Sequence, residues 1–212
     1  MQTVKERILY YAKKEFYEKG YIHTTLKDIA KLAECQPSQI TYHYKTKDLL
    51  VSEIYTDYYQ RLYSRMDEYP HLCGLNSLLK KIIHSQVYYT GILNDPNNVR
   101  MYTEVLEKKF SNYELNAAVT NKIYWEIAQD FDITLTEMEF DIICSMRAAA
   151  RAAFFRYYFK EKPDLNISEI VRFAETIAPS LMGIDVKVID SYLIRSIRLV
   201  RDIECSDICF LV

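Results

Sequence analysis

Apolar residues recur at three- and four-residue intervals along most of the chain, the spacing that gathers them on one face of an α-helix. The first stripe is Val4, Ile8, Tyr11, Ala12 and Phe16, with Thr3 before it as an N-cap and Gly20 after it as a left-handed stop. A helix over about 3–19 follows from that pattern. Thr25-Leu26-Lys27-Asp28 places a hydroxyl three residues before an acid, and Leu26, Ile29, Ala30 and Ala33 carry a short second helix behind this cap. Glu34 and Cys35 make a tight connection to Pro37. Proline suits a helix's first position, where its missing N–H has no intrahelical partner anyway, so a third helix is expected from Pro37 to about Tyr44.

Thr46 caps a longer stripe of Leu49, Leu50, Ile54, Tyr58, Leu62 and Met66 that ends before Pro70. Beyond it, helices are predicted at about 75–93, 97–109 and 113–131, with breaks at Gly91, at Asn94-Asp95-Pro96 and at Ser111-Asn112. Thr136 with Glu139 forms a capping box that opens a helix to about Lys160. Pro163 and Asn166-Ile167-Ser168-Glu169 separate it from a helix at about 168–182, and a last helix at about 185–202 follows Gly183. No repeat, low-complexity tract or strand pattern interrupts this series. The fold class is therefore all-α, with three short amino-terminal helices followed by a larger helical body; the domains divide at 1–47 and 48–212.

Composition agrees and narrows the function. The 212 residues include only 4 Gly and 5 Pro, too few for phosphate-cradling glycine loops or a turn-rich β architecture. Apolar runs such as Ala152 to Phe155 fall far short of the ~18 residues of a membrane span. The amino terminus has no secretory pattern, so a cytoplasmic protein without a membrane partner is expected. Five cysteines, Cys35, Cys73, Cys144, Cys205 and Cys209, lack metal-ligand spacing, and neither a metal nor a cofactor is expected. Cys205 and Cys209, four apart, suit one helix face and leave a thiol switch open. His23, His71 and His84 have no acid or cysteine at ligand spacing and read as structural or exposed.

The formal net charge of −2 hides an asymmetry: residues 1–50 hold nine Lys or Arg and six acids, so the rest is acidic. A basic end made of three short helices, the second and third joined by a few residues, describes a helix-turn-helix, whose last helix enters the DNA major groove. Ile40 and Tyr44, four apart, anchor that helix inward. Pro37, Ser38, Gln39, Thr41, Tyr42 and His43 are left on or near its outer face.

These residues resemble the amino-terminal domain of the TetR family of bacterial transcriptional regulators. The likeness runs from Ile8 through Ala12, Phe16, Gly20 and Tyr21 to Thr24-Thr25-Leu26 and Ile29-Ala30, then from Gln36 continuously to Leu50. It departs at Thr41, where the family usually has tyrosine, and at Pro37-Ser38-Gln39, where a glycine is common. The resemblance implies a non-enzymatic regulator, most readily a repressor, that binds a palindromic double-stranded DNA operator as a homodimer and is released by a small-molecule effector. Carried over by position, it gives Thr25 and Lys47 phosphate contacts and Lys27 a phosphate or a base edge. Gln39 pairs with adenine, Ser38 and Thr41 meet bases, and Tyr42 and His43 reach phosphate or groove edge. The family dimerises through its last long helices, which map here to about 136–160 and 185–202.

The body is rich in aromatics, as small-molecule sites are, although a helical core shows the same stripes. Tyr88, Tyr102, Trp125, Met146, Arg147, Phe154 and Tyr158 are the expected lining of an effector pocket, with Arg147 or Arg151 pairing either an anionic ligand or an acid such as Glu126 or Asp141. Two other readings stay open. One is a DNA-binding regulator controlled by a protein partner or thiol oxidation. The other, remote, is a helical-bundle enzyme, for which the chain offers no nucleophile–base pair and no E-x-x-H repeat.

Overall fold

The computed structural model describes residues 2–108 and 117–212, and every regular element among them is helical. The order is α1 (Val4–His23), α2 (Leu26–Leu32), α3 (Pro37–Tyr44), α4 (Lys47–Asp67), α5 (Ser77–Leu93), α6 (Pro96–Glu107), α7 (Ala117–Asp130), α8 (Glu137–Glu161), α9 (Ile167–Glu175), α10 (Ile177–Leu181) and α11 (Val186–Leu199). Short 3-10 turns follow α4 and α11. The expected caps are in place: the side chains of Thr3, Thr25, Thr46 and Thr136 each accept a backbone N–H of the first turn they open.

Three local expectations change. At Gly20 the backbone leaves the helix (φ 77°, ψ 177°), but one more helical turn carries the chain to His23. Only glycine adopts that conformation easily, and a Cβ there would also strike the Glu104 carboxylate of α6. Gly91 breaks nothing and lies inside α5, where a Cβ would run into the Tyr58 hydroxyl, so it is a point of close helix approach. The helix expected at 168–182 is two helices. Pro179 cannot donate to the Glu175 carbonyl, and its ring crowds it, so α9 ends there and α10 starts after Thr176. The break at Ser111-Asn112, and the start of the helix placed at 113–131, lie outside the described residues.

Helix α5 is the centre of the body. It packs against α4, α6, α7, α9 and α11, and so is buried on nearly every side. Its polar residues therefore need internal partners. Lys81 donates to the Glu175 carboxylate of α9 at 2.7 Å and to the Ser85 hydroxyl at 2.8 Å. Tyr89 donates to the other Glu175 oxygen at 2.5 Å, and Tyr124 of α7 also reaches this carboxylate at 3.3 Å. His84, wholly buried, shares a ring nitrogen with the Tyr59 carbonyl at 3.0 Å and lies 3.9 Å from the Tyr59 ring.

This polar core makes the fold acid-sensitive. Burial, reinforced by the Lys81 charge, holds His84 down to about 3, so it stays neutral when folded. Burial pushes Glu175 up, but Lys81 and Arg151 beside it and its hydrogen bonds outweigh that and hold it down to about 2. Below pH ~6.5 the unfolded chain takes up a proton at His84 that the native state refuses, and below ~4.5 the same applies to Glu175. Stability is complete above these values and falls continuously as the pH drops, with His84 alone accounting for something on the order of 4 kcal/mol by pH ~3. Denaturant unfolding at a series of pH values should show this slope, and His84→Gln should flatten it between pH ~6.5 and ~4.5.

Past α11 the chain does not continue as a helix. Residues 203–212 run back over α4 and bury Phe210 and Leu211. The helix face assumed for Cys205 and Cys209 is therefore absent: Cys205 is partly buried and Cys209 exposed in a non-helical segment, with the Ile208 N–H to Cys205 carbonyl bond closing a turn between them.

Candidate nucleic-acid interface

Helices α2 and α3 are joined by a turn at Glu34, whose φ of 49° lies in the left-handed region. The Cys35 N–H returns to the Ala30 carbonyl at 3.0 Å, which finishes α2 and turns the chain sharply into α3. Ile40, fully buried, and Tyr44 seat α3 on the core of the head formed by α1–α3. The Tyr44 hydroxyl donates to the Lys5 carbonyl of α1 at 3.1 Å, which fixes the far end of the helix. Anchoring on one side leaves Pro37, Ser38, Gln39, Thr41, Tyr42 and His43 exposed together on the other, as their spacing indicated. Tyr42 is 82% exposed, a large aromatic with no internal role, standing edge-on to His43 at 5.1 Å.

Four of the expected DNA contacts are engaged within the protein, and the simplest is Thr41, whose hydroxyl donates to the Ser38 carbonyl at 3.0 Å. Gln39 folds back so that its side-chain oxygen, the acceptor an adenine amine would need, takes the Gln36 N–H at 2.9 Å, while its amide nitrogen still carries a donor for adenine N7. The Thr25 hydroxyl donates to Asp28 at 2.6 Å and accepts the Asp28 N–H at 3.2 Å. These hydrogen bonds lower the Asp28 pKa and keep a carboxylate at the α2 N-terminus, where a phosphate would approach. Lys47 is half-buried, donates to the Tyr21 carbonyl and lies 4.0 Å from the centre of the Tyr21 ring; burial lowers its pKa. To touch a phosphate it must leave that carbonyl. Lys27 is exposed on α2. Lys45, at the C-cap of α3 with φ 59°, is a second exposed cation beside the helix that the pattern of the sequence did not single out; only its adjacency to α3 could have flagged it.

The head is joined to the body along α1. Arg100 of α6 donates to the Tyr17 and Glu18 carbonyls at 2.6 and 2.9 Å, the Tyr17 hydroxyl reaches Asp95 at 3.0 Å, and Glu104 accepts the Ile22 N–H at 2.8 Å. On the α4 side, Lys13 pairs with Asp57 at 2.6 Å.

Among the described residues, those expected to line an effector pocket have different surroundings. Tyr88 and Arg147 line one enclosed cavity of about 10 Å³, with Tyr59, Lys81, Ser85, Tyr89, Thr120, Arg151 and Glu175. That is room for about one water. Arg147 is buried with its guanidinium 4.4 Å from the centre of the Tyr124 ring and 3.5 Å from the Asn121 side-chain oxygen, neither of the acids considered for it. Tyr102 is buried against Tyr55 and Phe155, while Phe154 and Tyr158 are partly buried next to each other. Trp125, at the surface edge, stacks on Phe140 at 4.0 Å, and Met146 is half exposed on the outer side of α8. Lys81, Tyr89 and Glu175 do meet in the interior, and nothing in the sequence signals it, because charged residues in a helical pattern look like surface positions.

Comparison with known proteins agrees with this architecture. Residues 8–54 match the sequence profile described as bacterial regulatory proteins, tetR family, a segment that covers α1 to α3 and runs into α4. No curated protein sequence matches the chain. Among solved structures, a tetR-family transcriptional regulator from Streptomyces coelicolor is similar over 92% of this chain and 88% of its own, with 8% identity and a TM-score of 0.50. A full-length tylp, a tetR regulator from Streptomyces fradiae, is similar over 95% and 98%, with 15% identity and a TM-score of 0.47. The first of these shares the fold, and residues 8–54, which form the helix-turn-helix just described, match the tetR-family profile, so the chain carries a DNA-binding domain of that family's type at its amino terminus.

Proposed function

We propose that the protein is a repressor that reads a palindromic operator as a homodimer, within the cell, and that an effector held in the helical body releases it. The observation that carries the DNA-reading part is the outer face of α3: six neighbouring side chains are exposed while Ile40 and Tyr44 anchor the helix. Ser38, Thr41 and Gln39 offer hydrogen bonds to base edges, and Tyr42 and His43 extend the reach. Thr25, Lys27 and Lys47 are the proposed phosphate contacts, the last after exchanging the Tyr21 carbonyl for phosphate.

Dimerisation is supported by the outer faces of the two helices expected to form it. Met138, Ile142, Met146 and Tyr157 make an exposed stripe along α8, with the small Ala149 and Ala153 between them, and Val186, Ile194 and Ile197 are exposed on α11. Apolar side chains in that register are what a second copy of the chain would cover. Release by an effector is supported by the ties from α6 to α1, since a ligand that moves α6 moves the head.

The test is a titration of the purified chain onto a palindromic duplex obtained by selection, at several salt concentrations. Two chains per duplex and an affinity that falls steeply and linearly on a log–log salt plot are expected. One chain per duplex, or equal affinity for unrelated sequences, would overturn the proposal.

A further inference from the structure

Residues 203–212 have no helix of their own and yet end in one of the best-buried side chains of the protein. Phe210 is fully buried, edge-on to Tyr55 at 4.8 Å and to Tyr58 at 5.4 Å, both on α4. Before it, the segment is tied to the same helix by side chains. Arg65 donates to the Glu204 carbonyl at 3.0 Å and holds Asp207 through two nitrogens at 2.9 and 2.7 Å, and Tyr69 accepts the Glu204 N–H at 2.9 Å. Arg61 donates to the Cys209 carbonyl at 2.8 Å.

The Arg61 contact does not stop at α4. Its Nε donates at 3.0 Å to the Asp57 oxygen that also accepts Lys13 of α1 at 2.6 Å. One carboxylate oxygen is thus shared between a cation of the DNA-binding head and a cation that holds the end of the chain. Of the two, Lys13 is the more enclosed: its side chain is 13% exposed against 38% for Arg61.

We infer that residues 203–212 are an internal strap that fixes the DNA-binding head on the body, through the line Cys209 carbonyl–Arg61–Asp57–Lys13, with Phe210 as the pin that holds the line in place. The strap is built to open without unfolding the rest. It has no ladder of backbone hydrogen bonds, and beyond Phe210 and Leu211 its apolar side chains, Ile203, Cys205 and Ile208, are only partly buried, the features of a segment with low local stability. With the pin seated, Arg61 is directed along α4 to Asp57, and Asp57 in turn is directed at Lys13. With the pin out, Asp57 keeps Lys13 as its one cation, and α1 is held on α4 by that pair, by Lys5–Glu53 and by packing, so that it tilts more easily. A dimer reading a palindrome needs its two heads spaced to reach successive major grooves, about 34 Å apart. A head that samples other tilts pays for the lost alignment in affinity. This consequence for DNA rests on the dimeric reading above; the consequence for α1 does not.

The experiment compares full-length Phe210→Ala, Arg61→Ala and the double variant with the wild-type chain, by operator titration and by hydrogen exchange of the α1 amides. Each single variant is expected to bind the operator about tenfold more weakly, the loss of one hydrogen bond to a charged group. Exchange in α1 should rise in each, and the double variant should be no worse than Phe210→Ala alone, because both changes cut the same line. Arg61→Ala removes no buried ring, so it decides the matter if Phe210→Ala loses helicity. A folded variant with wild-type affinity and unchanged α1 exchange overturns the strap. If the wild-type chain itself finds no operator, the functional reading fails instead, and α1 exchange alone decides the strap.

Discussion

Lys81→Met is expected to lower the stability of the protein by about 3–5 kcal/mol, the cost of removing one partner of a buried ion pair. Lys81 and Glu175 are each only a few per cent exposed and 2.7 Å apart, so the lost ammonium is not replaced by water. For a chain of this length that corresponds to a fall in melting temperature of roughly 6–20 °C. The sign of the coupling is the sharper part of the test. Tyr89 and Tyr124 donate to different oxygens of Glu175, so Glu175→Gln keeps a carbonyl oxygen for one of these hydroxyls while it removes the charge. The double variant Lys81→Met/Glu175→Gln should therefore be more stable than Lys81→Met alone, because it no longer buries a carboxylate short of a cation. Thermal or denaturant unfolding of the three variants measures this, and strict additivity would mean that the pair is not a pair in solution.

The second large effect concerns the recognition helix. Tyr42→Ala and Gln39→Ala should each reduce operator affinity by about 30-fold or more, since one base contact is worth roughly 1–3 kcal/mol and a dimer loses it twice. Tyr42 is exposed, so its removal leaves the fold intact. Gln39 is less simple because it caps its own helix at the Gln36 N–H, and its removal frays the first turn of α3. Gln39→Glu separates the two roles. It retains an acceptor for Gln36 but replaces the amide donors with a negative charge facing DNA, so it should bind at least as poorly as Gln39→Ala while keeping helicity. Anisotropy titrations paired with circular dichroism distinguish the cases; a Gln39→Glu variant that binds like wild type would remove Gln39 from the base-reading set.

The head was more legible in the sequence than the body, for a physical reason. Its elements are set by signals a few residues long: Thr25 with Asp28, Pro37 at a first helical position, Thr46 before Leu49, and Ile40 with Tyr44 one turn apart. Each acts locally and each is found where its chemistry placed it. The contacts of the interior are set over long separations. Lys81 meets Glu175 across 94 positions and Arg61 meets Cys209 across 148, and nothing near either residue announces the other. Charged residues in a helical pattern read as solvent-facing, so the polar core was hidden. Large apolar residues read alike whichever face they occupy, so the pattern does not separate Trp125 and Met146, which are exposed, from Tyr88, which is buried. Pro179 is a local signal, since a proline four residues past Glu175 is sufficient to end α9. Phe210 belongs to no periodic stripe at all, and only the three-dimensional path of residues 203–212 shows that it completes the core.

The most direct measurement is selection of bound duplexes from a random library by the purified full-length chain. Enrichment of one palindrome, with half-sites about one helical turn apart or slightly more, is the result that the exposed face of α3 and the apolar stripes of α8 and α11 predict. Weak binding without enrichment, lost as the salt is raised, would contradict a sequence-reading dimer and leave the basic head with a charge attraction to DNA and no code.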